Sequence, residues 1–307
     1  MIKSRSQATQ AHPVRKQIGP AIQARPRQRS EAICRVAPRI ALHGLLVVLS
    51  IFVLLPLFSM VTTSLKSIQQ IGAIPPQWIP RPAHWENYPN AMTYVPVLLY
   101  VTNTLYITVF RVVGVLVSSS VVAYGFARIR WPGRDAVFFI VLATMMVPYQ
   151  VTMVPLYIIF SKLGWVGSYK PLIVPAFFGL PFFIFLLRQF FSMNIPDELC
   201  DSARVDGCSE LGIFLRIFVP LSKPVLLTVA LFETVWDWNE FLTPLIYITD
   251  MNKFTVALGL SLFSDQHHWQ WGLLMGATTM SIIPIVVFFF VVQRAFVQGI
   301  TFTGMKG

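Results

Sequence analysis

Four charged residues stand in apolar surroundings and are the first candidates for chemistry. Arg111 interrupts one hydrophobic stretch, and Glu233, Asp237 and Glu240 interrupt another. Spacings of four and then three residues put three carboxylates on one face of a helix. An arginine at the centre of a membrane helix costs about 2.5–3.5 kcal/mol on insertion scales, so it faces protein or water. The acids are its available partners, and an intramembrane ion pair of Arg111 with Glu233 and Asp237 is the expected arrangement. Acids in a membrane also suit a proton relay or a membrane-embedded enzyme, but an enzyme needs paired histidines or carboxylates at one depth, and no Ser/His/Asp set is recognisable. His267-His268 has neither a neighbouring Cys nor a regularly spaced carboxylate, and His43 reads as a helix-end residue, so no metal site is expected. No lysine follows a glycine, which removes the phosphate-cradling Gly-x-x-x-x-Gly-Lys-Ser/Thr loop. The chain is therefore expected to carry no catalytic residue and no cofactor of its own.

The elements that must hold these charges are membrane helices. Of 307 residues, 55% are hydrophobic and only 12% charged, about half the charge of a soluble domain. Length alone would allow two soluble domains, but uncharged runs long enough to cross a bilayer recur along the chain. They predict six helices at about 40–61, 98–122, 136–160, 171–187, 224–248 and 271–293. Only helices and closed barrels satisfy the backbone in lipid, and these runs are continuously apolar rather than alternating. The fold class is all-α, integral to the membrane.

Charge sets the orientation. The formal net charge is +11, and nine basic residues lie before Ile40, opposed by Glu31 alone. With the N-terminus inside, eighteen Lys and Arg fall in cytoplasmic segments and five outside, which satisfies the positive-inside rule and makes both termini cytoplasmic. Residues 1–39 read as a disordered basic cytoplasmic tail. An Arg-rich, acid-poor start also resembles a transit peptide, and no secretory signal with a cleavage site is present. The tail has no aromatic residue to stack on bases, so nucleic acid is not an expected partner. Cys34, Cys200 and Cys208 are odd in number and fall on the cytoplasmic side, against a disulfide framework. In the outer loop after the first helix, Trp78 among Pro75, Pro76 and Pro80 suits packing on the helix ends or the interfacial belt.

The connection from Pro196 to Pro224 is unlike the others. Pro196 suits a helix start, Asp197 and Glu198 complement its dipole, and Gly207 suits a left-handed stop. Ser209 then caps a second helix that shows Leu211, Phe214, Leu215 and Phe218 on one side and ends at Pro220, before Pro224 opens the fifth membrane helix. A helix pair with an apolar stripe, placed at a membrane face, calls for a partner or the membrane surface.

This loop resembles the cytoplasmic motif of ABC-importer permeases, Glu-Ala-Ala followed by three residues and Gly, with a proline some dozen residues on. The matching positions are Asp201, Ser202 and Ala203, then Asp206-Gly207, Phe214 and Pro220; Asp and Ser replace the first two residues, and Cys208 stands where Ala is usual. Tyr124 to Arg128, Trp131-Pro132-Gly133, Trp238-Asn239-Glu240, Trp271 to Met275 and Gln293 to Gly299 extend the likeness over residues 40–307. It is similar to the carbohydrate-uptake branch, in the form of the maltose-transporter G-type permease. The resemblance implies the type I importer fold in a bacterial plasma membrane. It also implies a second homologous permease, two ATPase subunits that bind ATP and Mg2+, and an extracytoplasmic binding protein that delivers a sugar. The loop would dock on an ATPase through Leu211 and Phe214, with its acidic first turn facing basic residues there. Trp236, Asn239 and Glu240 would line the substrate pathway, since aromatic faces and amides serve sugar recognition. A glycerol phosphate is compatible with the same scaffold. A stand-alone secondary transporter or channel, the reading from a different class, would need no such docking loop.

Overall fold

The computed structural model describes residues 27–263 and 270–304, with side chains over 39–263 and 270–293. Residues 1–26 of the expected tail, His267-His268 and Lys306 lie outside the described residues. Among the described residues all regular structure is helical. The chain divides into two compact units, Met1–Pro56 and Leu57–Gly307.

The first unit carries most of α1 (Arg27–Ser64). This helix begins inside the segment expected to be a disordered tail, which corrects that boundary. From Ile40 to Leu55 its large apolar side chains have almost no cover; Phe52 is 75% exposed. A helix apolar all round suits lipid or a protein partner rather than water.

The second unit opens on the last turns of α1. The carbonyls of Ser64 and Lys66 accept from the Asn87 amide at 2.8 and 3.0 Å, which satisfies groups that a helix end leaves without a partner. Ser67 and Gln70 form a capping box on α2 (Ile68–Ile71), and the proline-rich stretch after it, with Trp78 exposed, leads to α3 (Asn87–Tyr94). Next come α4 (Val97–Arg128), α5 (Arg134–Ala143) and α6 (Tyr149–Lys162). The last two are bent by 96° at Val147-Pro148, so the continuous helix expected over 136–160 is broken. The residue before a proline is driven out of the helical region, and Val147 is extended at φ −80, ψ 114.

The segment expected as 171–187 is also divided. Helix α7 (Lys170–Ile173) passes into a 3-10 turn over Val174–Phe178, and α8 (Pro181–Asn194) restarts after Gly179. Then follow α9 (Asp197–Val205), α10 (Glu210–Ile213), a π turn over Phe214–Phe218 and α11 (Val219–Leu221). Pro220 therefore lies inside the last short helix rather than ending it. Helix α12 (Lys223–Trp238) stops well short of 248; Asn239 and Glu240 fall in a break before α13 (Leu242–Tyr247). The chain closes with α14 (Val256–Leu260) and α15 (Trp271–Gly304).

Among the described residues α1, α4, α15 and the divided run Lys170–Asn194 are long and apolar enough to cross a membrane, which makes four segments, or up to six if each bent pair is one span. Within the second unit, α4 packs on α8 and α12, and α12 packs on α15. Gly114 lets α4 meet the 3-10 turn, since a Cβ there would lie 2.8 Å from the Phe177 ring. Large apolar side chains such as Phe139 and Phe290 point outward at 69% and 62% exposure, as expected of helices whose solvent is lipid.

Candidate functional site: a buried ion cluster and a braced helical corner

Arg111 projects from α4 into the second unit. Its Nη2 lies 2.8 Å from Glu233 and its Nε 2.9 Å from Asp237, both on α12. Nη1 donates to the Leu172 carbonyl of α7 at 2.6 Å. That carbonyl precedes Pro175, which has no N–H to return across a 3-10 turn, and the guanidinium supplies a donor. Thr108, one turn before Arg111, donates to Asp237 at 2.5 Å. Glu233 is fully buried, and its second oxygen has no hydrogen-bond partner among the described residues. One arginine thus ties α4, α7 and α12 together.

Glu240 is not part of this cluster. The helix has ended, and its carboxylate accepts from the Thr243 N–H at 2.8 Å, at the start of α13. Three acids on one helical face is corrected to two. Trp236 lies on the exposed side of α12, and Asn239, just past the helix end, is also exposed. The Trp236 ring is 52% exposed and packs 5.5 and 5.4 Å from the rings of Phe182 and Phe183 on α8. The Asn239 amide donates to the Val235 carbonyl at 2.7 Å.

The corner between α9 and α10 is built by local sequence. Gly207 has φ +81; its N–H reaches the Arg204 carbonyl at 3.0 Å, and the Cys208 N–H reaches the Ala203 carbonyl at 2.9 Å. These are the two bonds of a Schellman stop. The Ser209 hydroxyl then accepts the Gly212 N–H and starts α10. Pro196 sits at the N-cap of α9 and Asp197 opens it.

The outward and inward faces of this corner differ from the amphipathic reading. Phe214 is buried, with its ring 5.4 Å from Tyr124 of α4, and Phe218 is 4.8 Å from the same tyrosine. The π turn keeps both phenylalanines on one side, against the chain's own helices. Leu211 and Leu215 are 64% and 53% exposed, and Val205 is 87% exposed; Asp201, Ser202 and Asp206 are exposed beside them, Pro220 is exposed further along, and Ala203 is buried. The free apolar face is therefore Val205, Leu211 and Leu215, without Phe214. Asp197 is exposed as well, but its carboxylate is engaged by Arg128 at the end of α4.

Sequence reasoning missed the brace behind the corner. The Tyr124 hydroxyl donates to Glu210 at 2.6 Å, Arg204 donates to the other Glu210 oxygen at 2.8 Å, and Arg204 also meets Asp201 at 3.0 Å. Tyr124 and Arg128 sit in a stretch marked by resemblance alone, and nothing in the sequence distinguishes Glu210 from any acid in the first turn of a helix. The Glu210 carboxylate drives the Arg204 guanidinium further up from its usual range. Arg204 and then Tyr124 hold the Glu210 carboxyl below its usual range. A carboxyl lowered on folding contributes stability above its unfolded value, lost as pH falls through its folded value. Hydrogen exchange over 201–213 should thus speed up as pH falls below the ordinary carboxylate range, after correction for intrinsic rates. Glu210→Gln should flatten that dependence; an unchanged profile would refute the brace. Among the described residues no group of three His, Cys, Asp or Glu could hold a metal ion.

Regular structure that is helical throughout the described residues, with several segments long and apolar enough to cross a membrane, defines a multi-pass membrane protein. Residues 116–302 match the family described as binding-protein-dependent transport system inner membrane component, and the chain belongs to that family. Among curated relatives it is 35% identical over 257 residues to the probable ABC transporter permease protein YurM of Bacillus subtilis, covering 82% of this chain and 83% of that one. It is 33% identical over 272 residues to the arabinooligosaccharides transport system permease protein AraQ of the same organism, covering 88% and 96%. Its fold is that of a chain in the crystal structure of a bacterial ABC transporter involved in the import of the acidic polysaccharide alginate, with TM-score 0.73, 23% identity, and 87% and 98% of the two chains covered.

Proposed function

We propose that this chain is the transmembrane permease subunit of an ATP-driven, binding-protein-dependent importer of a mono- or oligosaccharide in a bacterial plasma membrane. In this reading six segments span the membrane, the fifth carried by α12 while the α10–α11 corner stays at the cytoplasmic face, and both termini are cytoplasmic. A second, homologous permease completes the pathway. Two ATPase subunits hold ATP and Mg2+, and an extracytoplasmic protein delivers the sugar. The observation that carries the coupling role is the α9–α10 corner. Its Val205, Leu211 and Leu215 are exposed while the residues behind them are braced on α4. A lever needs this combination, because force applied to a loose loop would not reach the membrane helices. The sugar assignment is supported by the relative named for arabinooligosaccharides and by the exposed Trp236 ring beside Asn239.

Co-expression with a candidate ATPase, second permease and binding protein, followed by purification on this chain, tests the assembly. Uptake by the reconstituted complex is then measured against a panel of oligosaccharides with glycerol 3-phosphate as the charged competitor. Trp236→Ala is expected to raise the half-saturating sugar concentration about tenfold, as loss of an aromatic contact of 0.5–1.5 kcal/mol or somewhat more would. Uptake of glycerol 3-phosphate in place of any sugar, or unaltered sugar affinity in Trp236→Ala and Asn239→Ala, would remove the sugar pathway from this helix.

A further inference from the structure

The connector between α4 and α5 carries a charge pattern that the transport reading does not use. Arg128, Arg130, Arg134 and Arg188 converge there, and the carboxylates that pair with them are those of Asp135 and Asp197. Asp197 is taken by Arg128, and Asp135 is shared by Arg134 at 3.3 Å and Arg188 at 3.2 Å. Arg130 is exposed and has no carboxylate within ion-pair distance among the described residues. Four guanidiniums against two carboxylates leave positive charge uncompensated in the folded chain.

The space beside these groups is concave. A cavity of about 330 Å³ is lined by Arg130, Trp131, Gly133, Arg134, Asp135 and Ala136. A second, of about 640 Å³, reaches from Arg130 and Arg134 towards Arg128 and Arg204, where the carboxylates that line it are already paired, Asp197 with Arg128 and both Asp201 and Glu210 with Arg204. The first turn of α5 adds backbone N–H groups, since Gly133 at φ +83 gives it no side-chain cap. The setting is a membrane boundary. Trp131 stands at the end of a span with its ring 5.9 Å from Phe126, and tryptophan favours the headgroup level. Beyond Arg134 along α5, Phe139 and Ile140 are 69% and 65% exposed. Five to six residues of helix place them roughly 8–9 Å further into the apolar region. A ligand that fits needs an anionic head for the arginines and long apolar chains for the helix face beside them.

We propose that this corner binds the phosphodiester headgroup of an anionic membrane phospholipid, held by Arg130 and Arg134, with its acyl chains along α5. Basic pockets at the ends of membrane helices recognise such headgroups. The assignment rests on membrane insertion of this chain and not on the identity of its transport substrate, so a failed sugar assay leaves it standing.

Brominated lipids quench nearby tryptophans and report which lipid sits at the site. The chain has eight tryptophans, so the Trp131 signal is taken as the difference between the full chain and its Trp131→Phe variant. Both are placed in nanodiscs of equal phosphatidylglycerol and phosphatidylcholine, with one or the other lipid brominated. Brominated phosphatidylglycerol should quench Trp131 in clear preference to brominated phosphatidylcholine. The preference should fall about fivefold for each arginine neutralised, in Arg130→Gln and Arg134→Gln, and should largely survive in Arg130→Lys/Arg134→Lys. Quenching of the other tryptophans, unchanged across the variants, reports an intact fold. Equal quenching by the two lipids, or a preference that persists in Arg130→Gln/Arg134→Gln, overturns the proposal. So does loss of preference on adding inorganic phosphate at constant ionic strength, which would mark a free-anion site. Loss on adding a purified ATPase subunit also overturns it, by assigning the arginines to a protein carboxylate.

Discussion

Replacing Gly207 by proline is expected to abolish ATP-coupled uptake while the chain still inserts and assembles. The residue sits at φ +81, and its N–H closes α9 onto the Arg204 carbonyl. Proline is fixed near φ −65 and has no N–H, so it cannot adopt the turn or make that bond. Helix α9 must then enter α10 by another path, and the Arg204–Glu210 contact, which spans the turn at 2.8 Å, is lost with it. Gly207→Ala separates conformation from bulk. No atom lies within 4 Å of a Cβ built there, so the cost is the left-handed backbone alone, about 1–2 kcal/mol. Uptake should fall in the order Gly, Ala, Pro, while ATP hydrolysis by the complex becomes independent of the binding protein. Asp206→Arg probes the surface separately: it reverses an exposed charge next to the turn and should weaken ATPase docking without altering helix content. Wild-type uptake by Gly207→Pro would end the lever interpretation.

The reason this turn could be read in advance is that its determinants are local. Pro196, Gly207 and Ser209 act on the backbone within a few residues of themselves, and the caps form where their types require. The side of the helix pair that faces outward was not local. Leu211, Phe214, Leu215 and Phe218 make one apolar stripe on a helical wheel, and nothing in that stripe says that α4 would take the two phenylalanines and leave the two leucines. That choice depends on Tyr124, some ninety residues earlier, and on a π turn, which apolar periodicity does not announce. Helix breaks divide in the same way. Val147-Pro148 carries a local signal that a count of apolar residues overrode. The stop at Trp238 has neither Pro nor Gly beside it, and the capping of α13 by Glu240 emerges only once that carboxylate has no helical neighbour to meet.

The ion cluster was legible for an energetic reason, and the same reason sets the largest stability effect expected in this chain. Arg111→Met should sharply lower thermal stability and yield, because it leaves Glu233, fully buried, and Asp237, nearly so, without a counter-charge. Breaking a buried pair from one side typically costs 3–5 kcal/mol, a large part of what holds a domain of ordinary stability together. The Leu172 carbonyl loses its donor at the same time. Arg111→Lys keeps the charge, but a single ammonium cannot reproduce the planar fork that meets two carboxylates and a carbonyl together, so partial recovery is expected. The decisive variant removes all three charges, Arg111→Met with Glu233→Gln and Asp237→Asn. Replacing a buried ionic group by apolar residues of similar volume is often close to neutral in stability; the triple variant removes the charges but keeps two buried amides that need partners, so it should regain part of what the single one loses, read as the melting midpoint in detergent. If it regains stability and transports, the cluster is a bracket that fixes α4, α7 and α12. If it regains stability but hydrolyses ATP without transport, the pairing must change during the cycle, because a fixed bracket has no function left once packing is restored. A triple variant no more stable than Arg111→Met would show that the bond to Leu172, and not the uncompensated charge, accounts for the loss.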